Sequence, residues 1–244
     1  MLIKFLGAGD AFGSGGRLQP CILGKTEKTS FILDCGATCL ISMRRYNIDP
    51  NEIDVIFLSH LHGDHFSGIP FFILDAQMIS KRKNPLLIAG PKGSKERIEA
   101  AMEVLFPGSS KVTQKFAIEY REMEPDKYFY VNDFKVLAGL GIHPSGAPSL
   151  LLRLEIMDKI IAYTGDTEWT DQIINIAENS DVLISEIYFH NKKIKNHLDY
   201  QTLFQNQDRL NTKRIIATHM SPDMLKMVEQ LDCEYSDDGK EFII

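Results

Sequence analysis

The chain has 244 residues, 44% of them hydrophobic and 25% charged, with 27 Lys and Arg against 33 Asp and Glu for a formal net charge of −6. This is ordinary globular composition with enough sequence for one sizeable core, so a single domain spanning residues 1–244 is expected. The acidic balance argues against a grip on extended nucleic acid, which needs clustered Lys and Arg, and no apolar run is long enough to span a bilayer.

In chain order, Met1–Leu6 enters a strand pattern at once, with no basic flank or cleavage site of a signal peptide, so a cytoplasmic location is expected. Gly7, Gly9, Gly13, Gly15 and Gly16 follow a strand, but no helix with a Lys-Ser/Thr ending follows them. They read as turns rather than a phosphate cradle, and no cofactor-binding residue is assigned. Strands continue to about Leu33, and a helix is expected near Thr38–Tyr46. Cys21, Cys35, Cys39 and Cys233 match no zinc-binding pair and read as thiols, with Cys35 and Cys39 small buried residues.

The apolar run Asp54–Leu58 reads as a buried strand and leads directly into Ser59-His60-Leu61-His62-Gly63-Asp64-His65. Imidazole and carboxylate together suit a divalent first-row metal, and four such groups in six positions exceed what one centre usually draws from a short segment. In extended backbone His60 and His62 point the same way and can grip one ion. Gly63 is expected to let the chain turn, so that Asp64 and His65 face a second ion.

Helical spacing follows near Pro70–Ile79 and over Ser94–Leu105, with Ser94 as N-cap, and Leu86–Ala89 forms a short buried strand between them. Lys81-Arg82-Lys83 reads as a solvated loop. Paired strands are expected from about Phe116 to Thr164. The tail then alternates: helix Thr170–Glu178, strand Val182–Ile187, helix Tyr200–Leu210, strand Ile215–Thr218, helix Pro222–Gln230. No internal repeat is visible. Strand-rich stretches with helices on the outside imply an α/β fold, a four-layer αβ/βα sandwich. His143, Asp166 and His219 also fall after strand-like runs, where groups from neighbouring strands can meet at one sheet edge.

These motifs, His60-x-His62-x-Asp64-His65, then His143, Gly165-Asp166-Thr167 and Thr218-His219, resemble the metallo-β-lactamase superfamily of dinuclear hydrolases over nearly the whole chain. Phe5–Asp10 and Leu33-Asp34-Cys35-Gly36 are similar to that family's opening strand and third strand. The resemblance implies that His60, His62 and His143 hold one metal, that Asp64, His65 and His219 hold the other, and that Asp166 bridges them. Asp34 would support the site from behind, taking a ring N–H from a metal-bound His.

Within the superfamily the chain resembles ribonuclease Z and its small-molecule phosphodiesterase relatives. Ser185-Glu186-Ile187-Tyr188-Phe189 and His197-Leu198-Asp199 are similar to the segments that there supply a Glu–His pair near the scissile phosphate. Ser185 replaces a His of that pattern, the residues after His197 differ, and no basic tRNA-gripping arm is visible. The resemblance therefore implies two divalent ions, zinc with manganese or iron as alternatives, and a hydroxide shared between them that attacks a small or nucleotide-like phosphodiester. Asp64, His197 and Glu186 form the catalytic set, His197 as proton donor and Glu186 as its support. His190 has no matching part and reads as structural or rim, and Lys192, Lys193 and Lys195 either solvate their loop or attract an anion. Alternatives are a lactone, thioester or β-lactam hydrolase, an armless ribonuclease Z, and a metal-binding regulatory module without turnover. The resemblance also allows a homodimer.

Overall fold

A computed structural model describes residues 1–244. One mixed sheet contains β1 (Leu2–Gly7), β2 (Cys21–Lys25), β3 (Ser30–Leu33), β4 (Val55–Phe57), β5 (Leu86–Pro91) and β6 (Ile118–Met123). A second contains β7 (Tyr128–Val131), β8 (Phe134–Leu140), β9 (Leu150–Ile156), β10 (Lys159–Tyr163), β11 (Val182–Glu186), β12 (Ile215–Thr218) and β13 (Glu234–Tyr235). The last strand, β14 (Glu241–Ile243), returns to the first sheet beside β1. The orders are β14-β1-β2-β3-β4-β5-β6 and β13-β12-β11-β10-β9-β8-β7. Read from β14 in the first sheet and from β7 in the second, each has three antiparallel pairings followed by three parallel ones. The chain therefore builds the same mixed pattern twice, a repeat of architecture that leaves no trace as repeated residues.

Side-chain alternation explains the layering. Phe31, Leu33, Val55 and Phe57 face the second sheet, where they meet Phe134, Leu152 and Ile161 in the central core. Their neighbours Ile32, Ile56 and Leu58 face outward, under α1 (Cys39–Arg45), α3 (Ile69–Met78) and α4 (Ser94–Leu105). On the other side Leu151, Ala162 and Leu183 face outward beneath α5 (Gln172–Ala177), α6 (Tyr200–Gln205) and α7 (Pro222–Leu225). A strand buried on both faces takes apolar residues at successive positions, which is why β4, β5 and the Val182–Ile184 part of β11 read as continuous hydrophobic runs. The result is the four-layer αβ/βα sandwich. No helix is long and apolar enough to cross a membrane.

Local expectations differ from the structure at several points. Ser94 is the first helical residue rather than the N-cap: Gly93 holds the cap at φ 87°, and the Ser94 hydroxyl donates to the Pro91 carbonyl instead. Lys81 and Lys83 are exposed, but Arg82 is buried and structural. Its guanidinium donates to the carbonyls of Asn84, Pro50, Ile53 and Pro85, tying the α3–β5 connection to the segment before β4. The stretch Phe66–Phe72 is mainly helical, and Phe66 and Phe72 pack in the outer core. The helices expected at Tyr200–Leu210 and Pro222–Gln230 stop at Gln205 and Leu225 and continue as single 3₁₀ turns. Strands β13 and β14 are too short to carry a periodic signal.

Candidate metal centre

The centre lies where the two halves of the sandwich present equivalent strand ends. After β4 the chain stays extended through His62, whose φ is −76° and ψ 152°, and the rings of His60 and His62 lie 4.9 Å apart. The helical turn α2 (Gly63–Phe66) then redirects the backbone, so Asp64 and His65 leave on a different side. Gly63 itself plays no special conformational part. It opens the helix without a positive φ, and a Cβ there would meet nothing within 4 Å. The turn comes from helix initiation, not from glycine's freedom.

Two groups of ligand atoms result. His60, His62 and His143 bring ring nitrogens within 4.8 Å of one another, and so do Asp64, His65, Asp166 and His219 with ring nitrogens and carboxylate oxygens. Asp166 stands between them. Its Oδ2 is 3.9 Å from Nε2 of both His60 and His143, while the same carboxylate lies 3.4 Å from His65 Nε2 and 3.5 Å from His219 Nε2. Asp64 Oδ2 is 3.2 Å from His65 Nε2 and 3.3 Å from His219 Nε2. His60 Nε2, His65 Nε2 and Asp166 Oδ1 are buried with no hydrogen-bond partner. Buried polar atoms are almost always satisfied, so three orphans converging on one point fit a cation-binding site. Imidazole with carboxylate is a donor set for divalent first-row ions.

Asp34 braces this cluster from inside the sandwich. At φ 58°, its backbone is in the left-handed region. Its Oδ2 sits 2.7 Å from His65 Nδ1 and accepts from the Tyr163 hydroxyl at 2.7 Å. The Ser59 hydroxyl donates to the same oxygen at 2.8 Å, and Ser59 Oγ is 3.0 Å from His60 Nδ1. One buried carboxylate thus orients a ring in each ligand group, turning their Nε2 atoms toward the centre. Gly165 is needed for close approach here. With φ 53°, a Cβ would lie 2.6 Å from Ser59 Cβ, so only glycine lets β10's end lie against the loop after β4.

Glu186 and His197 meet beside the second group. His197 Nδ1 hydrogen-bonds Glu186 Oε1, Glu186 Oε2 accepts from the Thr167 N–H at 2.9 Å, and His219 Nδ1 is 3.5 Å from Glu186 Oε1. The Glu186 side chain is 1% exposed and that of His197 is 23%, so His197 can be reached from outside while its partner cannot. Together with Asp166 and His219 this pair forms a third cluster close enough to hold a cation.

The sequence profile of the family described as "Anti-Pycsar protein Apyc1" matches residues 1–238. The chain belongs to this family. Beyond the Apyc1 family, it is similar to ribonuclease Z of Bacillus cereus, 26% identical over 91% of this chain and 89% of that protein. In fold it is similar to human tRNase Z, short form, at TM-score 0.80 and 23% identity, covering 100% of this chain and 99% of that one. It is similar likewise to the metallo-β-lactamase fold protein YhfI from Bacillus subtilis, at TM-score 0.79 and 18% identity over 99% and 98% of the two chains. This Apyc1 family member is thus a hydrolase of the metallo-β-lactamase superfamily, as its motifs implied.

Burial and charge oppose each other through the centre of this Apyc1 family chain. Burial, with His65 beside it, holds His60 below the usual imidazole range, and burial does the same to His62. Burial would also depress His65 and His219, but Asp166 and Asp64 outweigh it and push both rings well up. The reverse holds for Asp64 and Asp166, where cationic imidazoles overcome burial and lower the carboxyls. Protons thus balance the buried carboxylates in the metal-free protein, in the place a divalent ion would take.

Several residues were missed from sequence. Asp10 is buried and accepts from the Phe12 and Ser14 amides, shaping the glycine turn after β1. Tyr188 stacks on His197 with centroids 4.8 Å apart and lies 3.5 Å from Asp10 Oδ2; burial, with Asp10 beside it, pushes its phenol up to about 12. A polar residue just after a glycine turn was the one available signal, and it concerned Asp10 alone. His190 stacks on Tyr200 and stands outside all three clusters. The buried thiols Cys21, Cys35 and Cys39 pack under α1 and join no ligand group.

Proposed function

We propose that this chain is a two-metal phosphodiesterase acting on a small or nucleotide-like phosphodiester. In this reading His60, His62 and His143 hold one ion, Asp64, His65 and His219 hold the other, and Asp166 bridges. The donor set accepts zinc, manganese or iron, zinc being the first expectation. When bound, the ions supply charge neutralisation and an ionised water for attack on an already anionic phosphodiester. Asp64 also belongs to the catalytic set, accepting a hydrogen bond from the attacking water.

The observation that carries the reading is the Glu186–His197 pair at the open side of the cluster. Burial would lower the His197 imidazole, but its hydrogen bond to Glu186 and that carboxylate's charge raise it, so the ring holds a proton more readily than a free imidazole does. An accessible imidazole held by a buried carboxylate beside the ligand groups suits a leaving alkoxide, which needs a proton. The names of the ribonuclease Z relatives are in keeping with phosphodiester chemistry. The acidic chain without a basic arm favours small over extended nucleic acid substrates.

Rates of metal-loaded protein on bis-p-nitrophenyl phosphate, a dinucleotide and a lactone panel test the proposal. Turnover of the phosphodiesters with little on lactones is expected. Preference for lactones moves the chain to carboxyl-ester chemistry, and inertness on all of them moves it to a regulatory part.

A further inference from the structure

The polar loop that precedes His197 ends in an unusual residue. Asn196 sits at φ 71°, a left-handed conformation that asparagine tolerates better than most residues. This turns its two backbone groups in useful directions. The Asn196 N–H donates to Glu168 Oε1 at 2.8 Å, and the Asn196 carbonyl lies 2.7 Å from His143 Nδ1, which donates to it. The next residue is His197, whose ring centroid is 5.0 Å from that of His143. Glu168 is tied to the His143 loop as well, since its own N–H donates to the Ile142 carbonyl at 3.2 Å. The Ile142 N–H in turn donates to Thr167 Oγ1 at 2.9 Å, and the Thr167 N–H donates to Glu186, the partner of His197.

These bonds close a circuit from Glu186 through Thr167 and Glu168 to Asn196 and back to His197. On the assigned reading, one side of it carries a metal-ligand ring and the other the proton donor. We infer that Glu168 is a positioning residue that registers the His143 and His197 rings to each other through the backbone of Asn196. It touches neither ring. Its carboxylate fixes the amide of Asn196, and the carbonyl of that same residue leaves His143 Nδ1 no other orientation, so Nε2 faces the cluster. With the carboxylate removed, the left-handed kink loses its outer tether and the His197 ring loses its fixed approach to a leaving group. An error of about 1 Å in such a group costs on the order of 10²-fold in rate.

The inference rests on the phosphodiesterase reading, and its test separates the two. Glu168→Ala, Glu168→Asp and Glu168→Gln are compared on a p-nitrophenyl phosphodiester, whose leaving group needs no proton, and on an alkyl phosphodiester, whose leaving group does. In parallel, amide hydrogen exchange of residues 190–197 is followed in metal-free protein. Glu168→Ala is expected to lose roughly 10-fold or more on the alkyl ester and much less on the p-nitrophenyl ester, with faster exchange at Asn196. Glu168→Asp, with its acceptor drawn back by one methylene, falls between, and Glu168→Gln, which keeps an oxygen acceptor, recovers most of both. Equal losses on the two esters, or unchanged exchange at Asn196, overturn the inference. Wild-type protein inert on both esters sinks the phosphodiesterase reading instead, and the exchange result still decides whether Glu168 holds Asn196.

Discussion

At the scale of single residues, the site separates groups that face a reacting atom from groups that aim them. Asp34 is the clearest of the second kind, since one carboxylate holds His65 directly and His60 through Ser59. His197 is proposed as the first kind, so His197→Ala is predicted to keep its metals and to lose about 10²–10⁴-fold in kcat on alkyl phosphodiesters. Steady-state kinetics with metal analysis of the same sample checks this; a full rate with full metal content removes His197 from the reaction. The seven proposed ligands were legible because metal chemistry restricts residue type, and five imidazoles with two carboxylates stand out wherever they fall. Glu168 and Asn196 were not legible. The Glu168 carboxylate meets the backbone of Asn196 across 28 residues of sequence, and nothing in their identity records that.

At the scale of elements, strand registers and one buried cation set where those residues arrive. Apolar runs in β4, β5, β10 and β11 marked the buried strands, and the proposed ligands follow the ends of β4, β8, β10 and β12. What misled was side chains whose surroundings oppose their type. Arg82 lies in a basic triplet between two exposed lysines yet is 1% exposed, because four carbonyls around the α3–β5 connection require donors. Arg82→Ala is predicted to cost about 3 kcal/mol through unsatisfied carbonyls, roughly 6–12 °C in Tm for a chain of this size. Thermal unfolding of the variant measures it, and a change under 2 °C contradicts the buried part assigned to this side chain. Strands β13 and β14 escaped notice for a different reason. Two or three residues show no alternation, and their pairing with β12 and β1 is a property of the closed sandwich.

At the scale of the whole molecule, two copies of one mixed sheet pattern face each other and deliver their loops to one edge. The first half supplies Asp34 and the His60–His65 turn, and the second supplies His143, Asp166, Glu186 and His219. Bringing buried acids and imidazoles together gives the metal-free protein a pH signature. His65 and His219 titrate above their unfolded value of about 6.5, so their contribution is complete below that pH and is lost as pH rises through their folded values. His60 and His62 are depressed, so their contribution is complete above about 6.5 and is lost as pH falls below it. The metal-free protein is therefore predicted to be most stable near neutrality and to lose Tm as pH rises above it. Bound divalent ions take over from the protons and remove that alkaline loss, which a Tm series with and without chelator tests; a rising metal-free Tm above neutrality contradicts it.

The central claim is that residues from both halves hold a pair of ions and that the pair is what turns over substrate. Titrating metal into chelated protein, with bound ion counted by mass spectrometry and hydrolysis of bis-p-nitrophenyl phosphate followed on the same samples, addresses it directly. Two ions per chain are predicted, with the rate rising as the second is taken up, and Asp166→Ala should lose both binding and rate. Full turnover at one ion per chain, or an Asp166→Ala variant that binds two ions and keeps its rate, would contradict the account.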